Sequence, residues 1–279
     1  MKRQPLTEIL IAQRLCDNKK QAEALVMAGK VLVNGQPAKA GQLVRGDDAV
    51  RVKNQALPYA SKGGLKLEGA LAAFFIKPEN LVCLDAGAST GGFTDCLLQH
   101  GARLVYAVDV GFGQLTGALR QHPRVINLER TNLGDASLLE LSPIPTLSTC
   151  DLSYLSLVDA VPLYRTIQQA QGDLIALVKP LFEIDDPAAR RSGEIPETAY
   201  QPLLETLAGC LNGQQDTRVM DVCASPVTGN AGTIEFFFHV RFGGNTPPPD
   251  LGQAIRTSVA DALRTAPYRK AGDPTFGKA

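Results

Sequence analysis

Four strand-like apolar runs in the middle of the chain alternate with helical segments, and each run ends at a charged residue. The runs occupy residues 81–84, 104–108, 147–150 and 174–178, and the residues that follow them are Asp85, Asp109, Asp151 and Lys179. This alternation predicts βαβ units that build a mostly parallel sheet with helices on both faces. In such sheets ligands bind beyond the carboxyl ends of the strands, so we expect the four charged side chains to share one cleft.

A glycine-rich turn, DAGASTGGFT at residues 85–94, follows the first run and opens a helix. Its glycines permit a tight turn and a close approach of backbone to a ligand. The turn lacks the G-x-G-x-x-G spacing of dinucleotide-binding folds and the Gly-Lys-Ser/Thr of triphosphate-binding loops. Asp109 follows the next strand, where it can accept hydrogen bonds from a ribose diol. These features in this order favour a nucleoside cofactor over a plain β-turn beside an acidic helix start.

The first 66 residues concentrate positive charge within a chain whose net charge is zero. They hold 12 Lys and Arg against 5 Asp and Glu. Residues 19–28 have helical spacing, Gly29 ends that helix, and residues 30–36 form a short strand that runs into an Asn-Gly turn. The pattern predicts a small domain of helices and a hairpin. Its charge is typical of a phosphate-binding module, with an ordinary solvated surface as the alternative.

These features resemble the S4 RNA-binding domain. The resemblance is carried by Arg14-Leu15, by NKKQA at residues 18–22, by AGKVLVNG at residues 28–35 and by Gly46-Asp47. It implies an RNA-binding surface that includes Arg14, Lys19, Lys20, Lys30 and Asn34. The family usually has Ser-Arg where this chain has Asn18-Lys19, and lysine cannot form the bidentate phosphate contact that arginine forms. We therefore expect RNA binding that is weaker but present.

Motifs over residues 1–243 resemble the TlyA family, in which an S4 domain is linked to a catalytic domain similar to the FtsJ/RrmJ type of RNA 2′-O-ribose methyltransferase. They are YASKGGLKL at 59–67, LDAGASTGGFTD at 84–95, VYAVDVG at 105–111, ERTN at 129–132, DLSYLSL at 151–157 and VKPLFE at 178–183. The resemblance implies a Rossmann-like class I methyltransferase domain with S-adenosylmethionine as its cofactor. The implied substrate is structured RNA, above all ribosomal RNA or ribosomal subunits.

The same resemblance implies which residues form the site. The catalytic tetrad falls on Lys66, Asp151, Lys179 and Glu235. The cofactor-binding residues fall on Asp85, Gly87, Ser89, Gly91, Gly92, Phe93, Asp109 and Asn132.

Methylation of a ribose 2′-hydroxyl suits such a tetrad. The hydroxyl is a poor nucleophile at neutral pH and the methyl donor is a cation, so the site must remove a proton without repelling the donor. An amine in a partly apolar pocket beside a second cation has a lowered pKa and can accept a proton. We assign that role of general base to Lys179. Lys66 would bind the 2′-oxygen, while Asp151 and Glu235 would orient the lysines, and no metal is required.

Two members of the tetrad have simpler interpretations when they are taken singly. Lys66 lies at the margin of an apolar helical stripe, where a lysine commonly extends to solvent. Glu235 could be the outward residue of an alternating strand at residues 233–238. Asp151 and Lys179 are better supported because both follow buried strands. The order Lys, Asp, Lys, Glu on the expected elements favours a functional role for all four.

The chain is expected to divide into an S4-like domain at residues 1–56, a methyltransferase domain at 57–243 and a C-terminal helix and tail at 244–279. The helix is expected near residues 251–263, and residues 184–193 depart from the Gly-rich basic loop that is usual in the family. The six cysteines show neither metal-ligand spacing nor a disulfide framework. No apolar run is long enough to cross a bilayer and the first residues do not form a secretory signal, which predicts a cytoplasmic protein without membrane contact.

Two other functions remain open on the sequence. The chain could be a non-catalytic RNA-binding factor for ribosome assembly that keeps the cofactor pocket for folding. It could also be a membrane-active cytolysin, since TlyA-family members have been called haemolysins, although no strongly basic amphipathic helix supports this. The oligomeric state is left open.

Overall fold

The structure is a computed structural model that describes residues 4–12, 15–16, 18–45, 48, 50–53, 57–229, 232–244 and 247–265. It divides into two compact units, Met1–Leu57 and Pro58–Ala279. Each unit has its own hydrophobic core.

The first unit consists of short strands and two helices. Its elements are β1 (Gln4–Pro5), α1 (Leu6–Ala12), α2 (Lys19–Met27), β2 (Val31–Val33), β3 (Gln36–Pro37), β4 (Leu43–Val44) and β5 (Val50–Val52). β1 pairs with β4, and β3-β2-β5 form an antiparallel sheet. The predicted Asn-Gly turn joins β2 to β3, and both of its residues have positive φ, +51° at Asn34 and +79° at Gly35. This is the backbone of a type I′ hairpin turn, which this dipeptide favours.

The second unit is built around a seven-stranded sheet. Its strands are β6 (Val82–Ala86), β7 (Leu104–Asp109), β8 (Val125–Glu129), β9 (Leu147–Cys150), β10 (Gly172–Val178), β11 (Thr217–Ala224) and β12 (Phe236–Phe242). They lie in the order β11-β12-β10-β9-β6-β7-β8. β12 is antiparallel to both of its neighbours, and the other neighbouring pairs are parallel. The strand order reverses between β6 and β9, which is where such sheets open a ligand-binding crevice.

Helices cover both faces of this sheet, as the alternation of strands and helices predicts. They are α3 (Lys62–Ala73), α4 (Gly92–Gln99), α5 (Gly117–Arg120), α6 (Leu157–Ile167), α7 (Pro180–Glu183), α8 (Pro187–Ser192), α9 (Tyr200–Asn212) and α10 (Gly252–Thr265), with short 3₁₀ turns at Ala136–Glu140 and Glu197–Ala199. On one face α3 and α4 bury Leu67 and Leu97 against the sheet. On the other face α6, α9 and α10 bury Tyr164, Leu204 and Ile255. The predicted fold class is confirmed.

The helices described by the structure include none that combines the length and the apolar character needed to cross a membrane.

Candidate active site

The turn after β6 is fixed by a buried carboxylate. Asp85 has no exposed surface, and its two carboxylate oxygens accept hydrogen bonds from the hydroxyls of Thr94 (2.6 Å) and Thr149 (2.9 Å). Burial raises the pKa of Asp85 to about 6, although both hydroxyl bonds act against the shift. The expectation that Asp85 faces the cleft is therefore wrong. It joins β6 to α4 and to β9, and so holds the glycine turn in place.

The glycines of this turn are required by neighbouring protein atoms. A Cβ on Gly87 would overlap the carbonyl oxygen of Asp151, and one on Gly91 would overlap a leucine side chain of α5. A Cβ on Gly92 would overlap the side chain of Ser61, the N-cap residue of α3. The turn thus packs directly against the end of β9 and the start of α3. Close packing accounts for these glycines without any contact to a ligand.

A cavity of about 190 Å³ opens beside this turn, at the point where the strand order reverses. It is lined by Ala86, Gly87, Ser89, Val108, Asp109, Val110, Thr131, Asp151, Leu152, Ser153 and Tyr154. The carboxylate of Asp109 accepts the backbone N–H groups of Ser89 and Gly111, each at 2.7 Å. A carboxylate has about four lone-pair sites, so Asp109 retains room for two more donors such as a ribose diol.

Lys179, one residue beyond β10, contacts two residues that line this cavity. Its Nζ lies 2.6 Å from Oδ1 of Asp151, one residue beyond β9, and donates to Oγ of Ser153 at 2.8 Å. Because β9 and β10 are parallel neighbours, their carboxyl ends bring this ion pair together. The cation also lies 5.7 Å from the centre of the Phe182 ring.

Lys66 and Glu235 form a second and more deeply buried ion pair. Nζ of Lys66, on α3, lies 2.5 Å from Oε2 of Glu235, directly before β12, and the side chains are 12% and 6% exposed. Glu235 is therefore not an outward strand residue. The segment before α3 packs closely on the start of this helix, since a Cβ on Gly64 would overlap the buried ring of Tyr59.

The two ion pairs form one electrostatic cluster. Burial raises the pKa of Glu235 and the charge of Lys66 lowers it, while Asp151 raises it further and Lys179 lowers it. The structure thus brings all four tetrad residues together as two cations and two anions. Among the residues described here, no group of three or more His, Cys, Asp or Glu side chains is arranged to hold a metal ion.

Of the other predicted cofactor residues, Gly91, Gly92, Phe93 and Asn132 are not among the described residues that line the cavity. Phe93 is buried, with its ring centre 6.1 Å from that of Phe237. Asn132 is exposed, and its side-chain oxygen accepts the N–H of Gly134 at 3.0 Å. Conversely, Ser153 and Tyr154 line the cavity and were not selected as site residues. Their position directly after a buried strand was the signal that could have identified them.

The predicted RNA-binding residues of the first unit are only partly described. Lys19, Lys20 and Lys30 are all exposed. The side-chain amide of Asn34 donates to the carboxylate of Asp48 at 2.8 Å, so it supports the hairpin turn. Arg14 lies outside the described residues.

Comparison with protein families matches both units. Residues 59–242 match the FtsJ-like methyltransferase family, and residues 4–50 match the S4 domain. The chain is 37% identical to the 16S/23S rRNA (cytidine-2′-O)-methyltransferase TlyA of Mycobacterium tuberculosis, over 83% of this chain and 87% of that protein.

Relatives with another name cover the chain equally well. Hemolysin A of Brachyspira hyodysenteriae is 34% identical over 84% of this chain and 98% of its own length. A solved structure of a hemolysin-named protein from Streptococcus thermophilus is 35% identical, with a TM-score of 0.71, and covers 95% of this chain and 97% of that one. With its matching fold, cavity and motifs, the chain belongs to the FtsJ-like methyltransferase family and carries an S4 domain before the methyltransferase domain.

Proposed function

We propose that this protein transfers a methyl group from S-adenosylmethionine to the 2′-hydroxyl of a ribose in ribosomal RNA. The observation that carries the proposal is the charge-balanced cluster of two lysines and two carboxylates, of which Asp151 lines the cavity. Such a cluster can move a proton and stabilise an oxyanion, and its zero formal charge does not repel a cationic donor. The relative from Mycobacterium tuberculosis is named for this reaction on cytidines of 16S and 23S rRNA.

The residues of the cavity fit the proposed cofactor. S-adenosylmethionine supplies an electrophilic methyl group on a sulfonium. Asp109 would accept hydrogen bonds from the two hydroxyls of the cofactor's ribose, using the lone pairs that the N–H groups of Ser89 and Gly111 leave open. Ser89 and Tyr154 would line the rest of the nucleoside. Gly87 keeps the end of β9 close, so that Asp151 lies at the wall of the same cavity.

Lys179 is the proposed general base. When its neutral amine accepts the proton of the 2′-hydroxyl, the resulting ammonium lies 2.6 Å from Asp151, which stabilises it. Ser153 restricts the position of the amine by a second contact.

Lys66 is proposed to bind the 2′-oxygen and to stabilise the negative charge that develops on it. Its partner Glu235 fixes the ammonium through a buried contact, so the charge is in place before the substrate arrives. Much of the acceleration would come from holding oxygen, methyl carbon and sulfur in line.

The first unit is proposed to bind the RNA. Its exposed Lys19, Lys20 and Lys30 suit contacts to phosphates, so affinity should fall steeply with salt. We further propose that the RNA partner is rRNA, either free or within a ribosomal subunit, and that the protein acts in the cytoplasm.

The test is incubation of the purified protein with labelled S-adenosylmethionine and either naked 16S and 23S rRNA or ribosomal subunits. Label should enter RNA as a 2′-O-methylated nucleotide. Lys179→Met should abolish transfer while S-adenosylmethionine still binds. Lys77→Met is the matched control, since Lys77 is an exposed lysine of the same unit.

Label that enters a base, or full activity of Lys179→Met, would refute the proposed chemistry. Binding of RNA and cofactor by the wild-type protein without any transfer would favour the non-catalytic assembly factor instead.

A further inference from the structure

Phe182 is a half-exposed aromatic residue beside the proposed general base. It lies on α7, the single helical turn that directly follows Lys179, and 50% of its side chain is exposed. Burying a phenylalanine stabilises a fold, so a phenylalanine left in solvent forgoes that stabilisation. Isolated exposed hydrophobic residues are common on protein surfaces, so its meaning depends on where the ring lies.

The ring lies close to the amine of Lys179, on a turn that hydrogen bonds hold in place. Its centre lies 5.7 Å from Nζ of Lys179, the atom that also contacts Asp151 and Ser153. The N–H of Phe182 donates to the carbonyl oxygen of Lys179 at 2.8 Å, which closes the turn. Glu183, the next residue, accepts the N–H of Leu157 at 3.1 Å and anchors the turn to the start of α6.

The ring lies outside the cofactor cavity. The cavity is lined by residues at or just beyond the carboxyl ends of β6, β7, β8 and β9, and Phe182 is not among the described residues that line it. Its exposed surface is therefore available to the other reactant. In the proposed reaction Lys179 Nζ lies within hydrogen-bond distance, about 3 Å, of the ribose 2′-oxygen. The base of that nucleotide is attached to the neighbouring ribose carbon, which brings it within reach of the ring.

We propose that Phe182 stacks on the base of the target nucleotide and so holds its ribose against Lys179. The inference rests on the proposed function and names a substrate contact within it. Bases that have left a helix are commonly bound by stacking on aromatic side chains, and this contact tolerates every base because each has a π-face. Phe182 then contributes to positioning, and sequence selection comes from other contacts.

Kinetics with four variants test the aromatic requirement. Stacking on one base is worth about 5- to 150-fold in affinity, so Phe182→Ala and Phe182→Leu should lower kcat/KM for rRNA by that factor. Phe182→Tyr should stay within twofold of wild type. Affinity for S-adenosylmethionine should not change in any of them. Phe75→Ala is the matched control, since Phe75 follows α3 and is 90% exposed.

A second readout does not depend on methyl transfer. The chain contains no tryptophan, so Phe182→Trp introduces a single indole fluorophore. Its emission should be quenched when purified 16S or 23S rRNA is added with S-adenosylhomocysteine present, because stacked bases quench indole. Phe75→Trp, measured in the same way, should show no quenching.

The outcomes separate the stacking contact from the reaction. Wild-type methylation without quenching in Phe182→Trp, or Phe182→Leu within twofold of wild type, overturns the stacking contact and leaves the reaction intact. Quenching without wild-type methylation supports the contact and refutes the reaction. A loss of cofactor affinity in Phe182→Ala assigns the ring to the cofactor and overturns the inference.

Discussion

Replacing Lys66 by methionine should destabilise the second unit in a strongly pH-dependent way. The substitution keeps the unbranched stem of the side chain and removes the cation, which leaves Glu235 buried without its closest partner. Removing one member of a buried ion pair typically costs about 3–5 kcal/mol. The loss of stability has an upper limit here, because Glu235 can take up a proton and become neutral instead of remaining a buried, unpaired charge.

That limit follows from the ordinary pKa of glutamate, near 4.3. Each pH unit above this value adds about 1.36 kcal/mol to the cost of keeping the group protonated, which gives about 3.7 kcal/mol at pH 7 and about 1 kcal/mol at pH 5. Burial already raises the pKa of Glu235 in the wild type. The folded chain therefore holds this proton more tightly than the unfolded chain, and stability falls as pH rises between the ordinary and the raised pKa. Lys66→Met removes the cation that lowers the pKa of Glu235, so the pH range over which stability falls should extend to higher pH.

Urea unfolding followed by circular dichroism at pH 5 and pH 7 measures the effect. We expect Lys66→Met to lower the free energy of unfolding by about 2–4 kcal/mol at pH 7 and by about 1 kcal/mol or less at pH 5. The double variant Lys66→Met/Glu235→Gln should recover most of the loss, and Lys77→Met should match wild type. An equal loss at both pH values would mean that Lys66 supports the fold by packing and that the charge-pair reasoning is wrong.

Three further comparisons test other parts of the second unit. Gly64→Ala should lower the free energy of unfolding by more than about 2 kcal/mol, because the new Cβ overlaps a buried tyrosine ring. Gly209→Ala, on α9, should raise it by up to about 1 kcal/mol, because the space around this glycine is open. Thermal melting of both variants compares the two effects. Asp85→Asn removes a buried carboxylate whose pKa is about 6, and ionising that carboxylate destabilises the wild type as pH rises. The free energy of unfolding of Asp85→Asn relative to wild type should therefore increase from pH 5 to pH 8. The same difference in free energy at both pH values would contradict a buried charge at Asp85. Asp109→Ala should weaken S-adenosylmethionine binding at least tenfold in calorimetry while Asn132→Ala changes it less than twofold, and the reverse order would refute the assignment of the cavity.

The main strands of the fold could be predicted from the sequence because buried parallel strands have continuous apolar runs. The run at 147–150 coincides with β9, and the run at 174–178 lies within β10. The insertion of antiparallel β12 between β10 and β11 could not be predicted, since the pairing of strands distant in sequence leaves no periodic signal.

The composition of the tetrad was predictable, but its internal pairing was not. Lys66 and Glu235 are 169 residues apart in the sequence. They meet because α3 packs against the sheet close to the start of β12. The sequence indicated that the acids would orient the lysines without showing which acid serves which lysine. The deeper burial of the Lys66 pair also depends on tertiary packing, and it is this burial that raises the pKa of Glu235.

The four charged residues near the strand ends show that the exact end of each strand must be known before a site residue can be assigned. Asp109 is the last residue of β7, while Asp151 and Lys179 come one residue after β9 and β10, and all three lie at the cleft. Asp85 lies one residue before the end of β6. Asp85 is level with Ala107 of β7 and Thr149 of β9, so it lies on the same face as Asp109 and Asp151 but two residues deeper in the sheet, where α4 covers it and the hydroxyl of Thr94 binds it. A difference of two residues in depth thus decides whether a carboxylate meets a ligand or a helix, and apolar runs do not locate strand ends that closely.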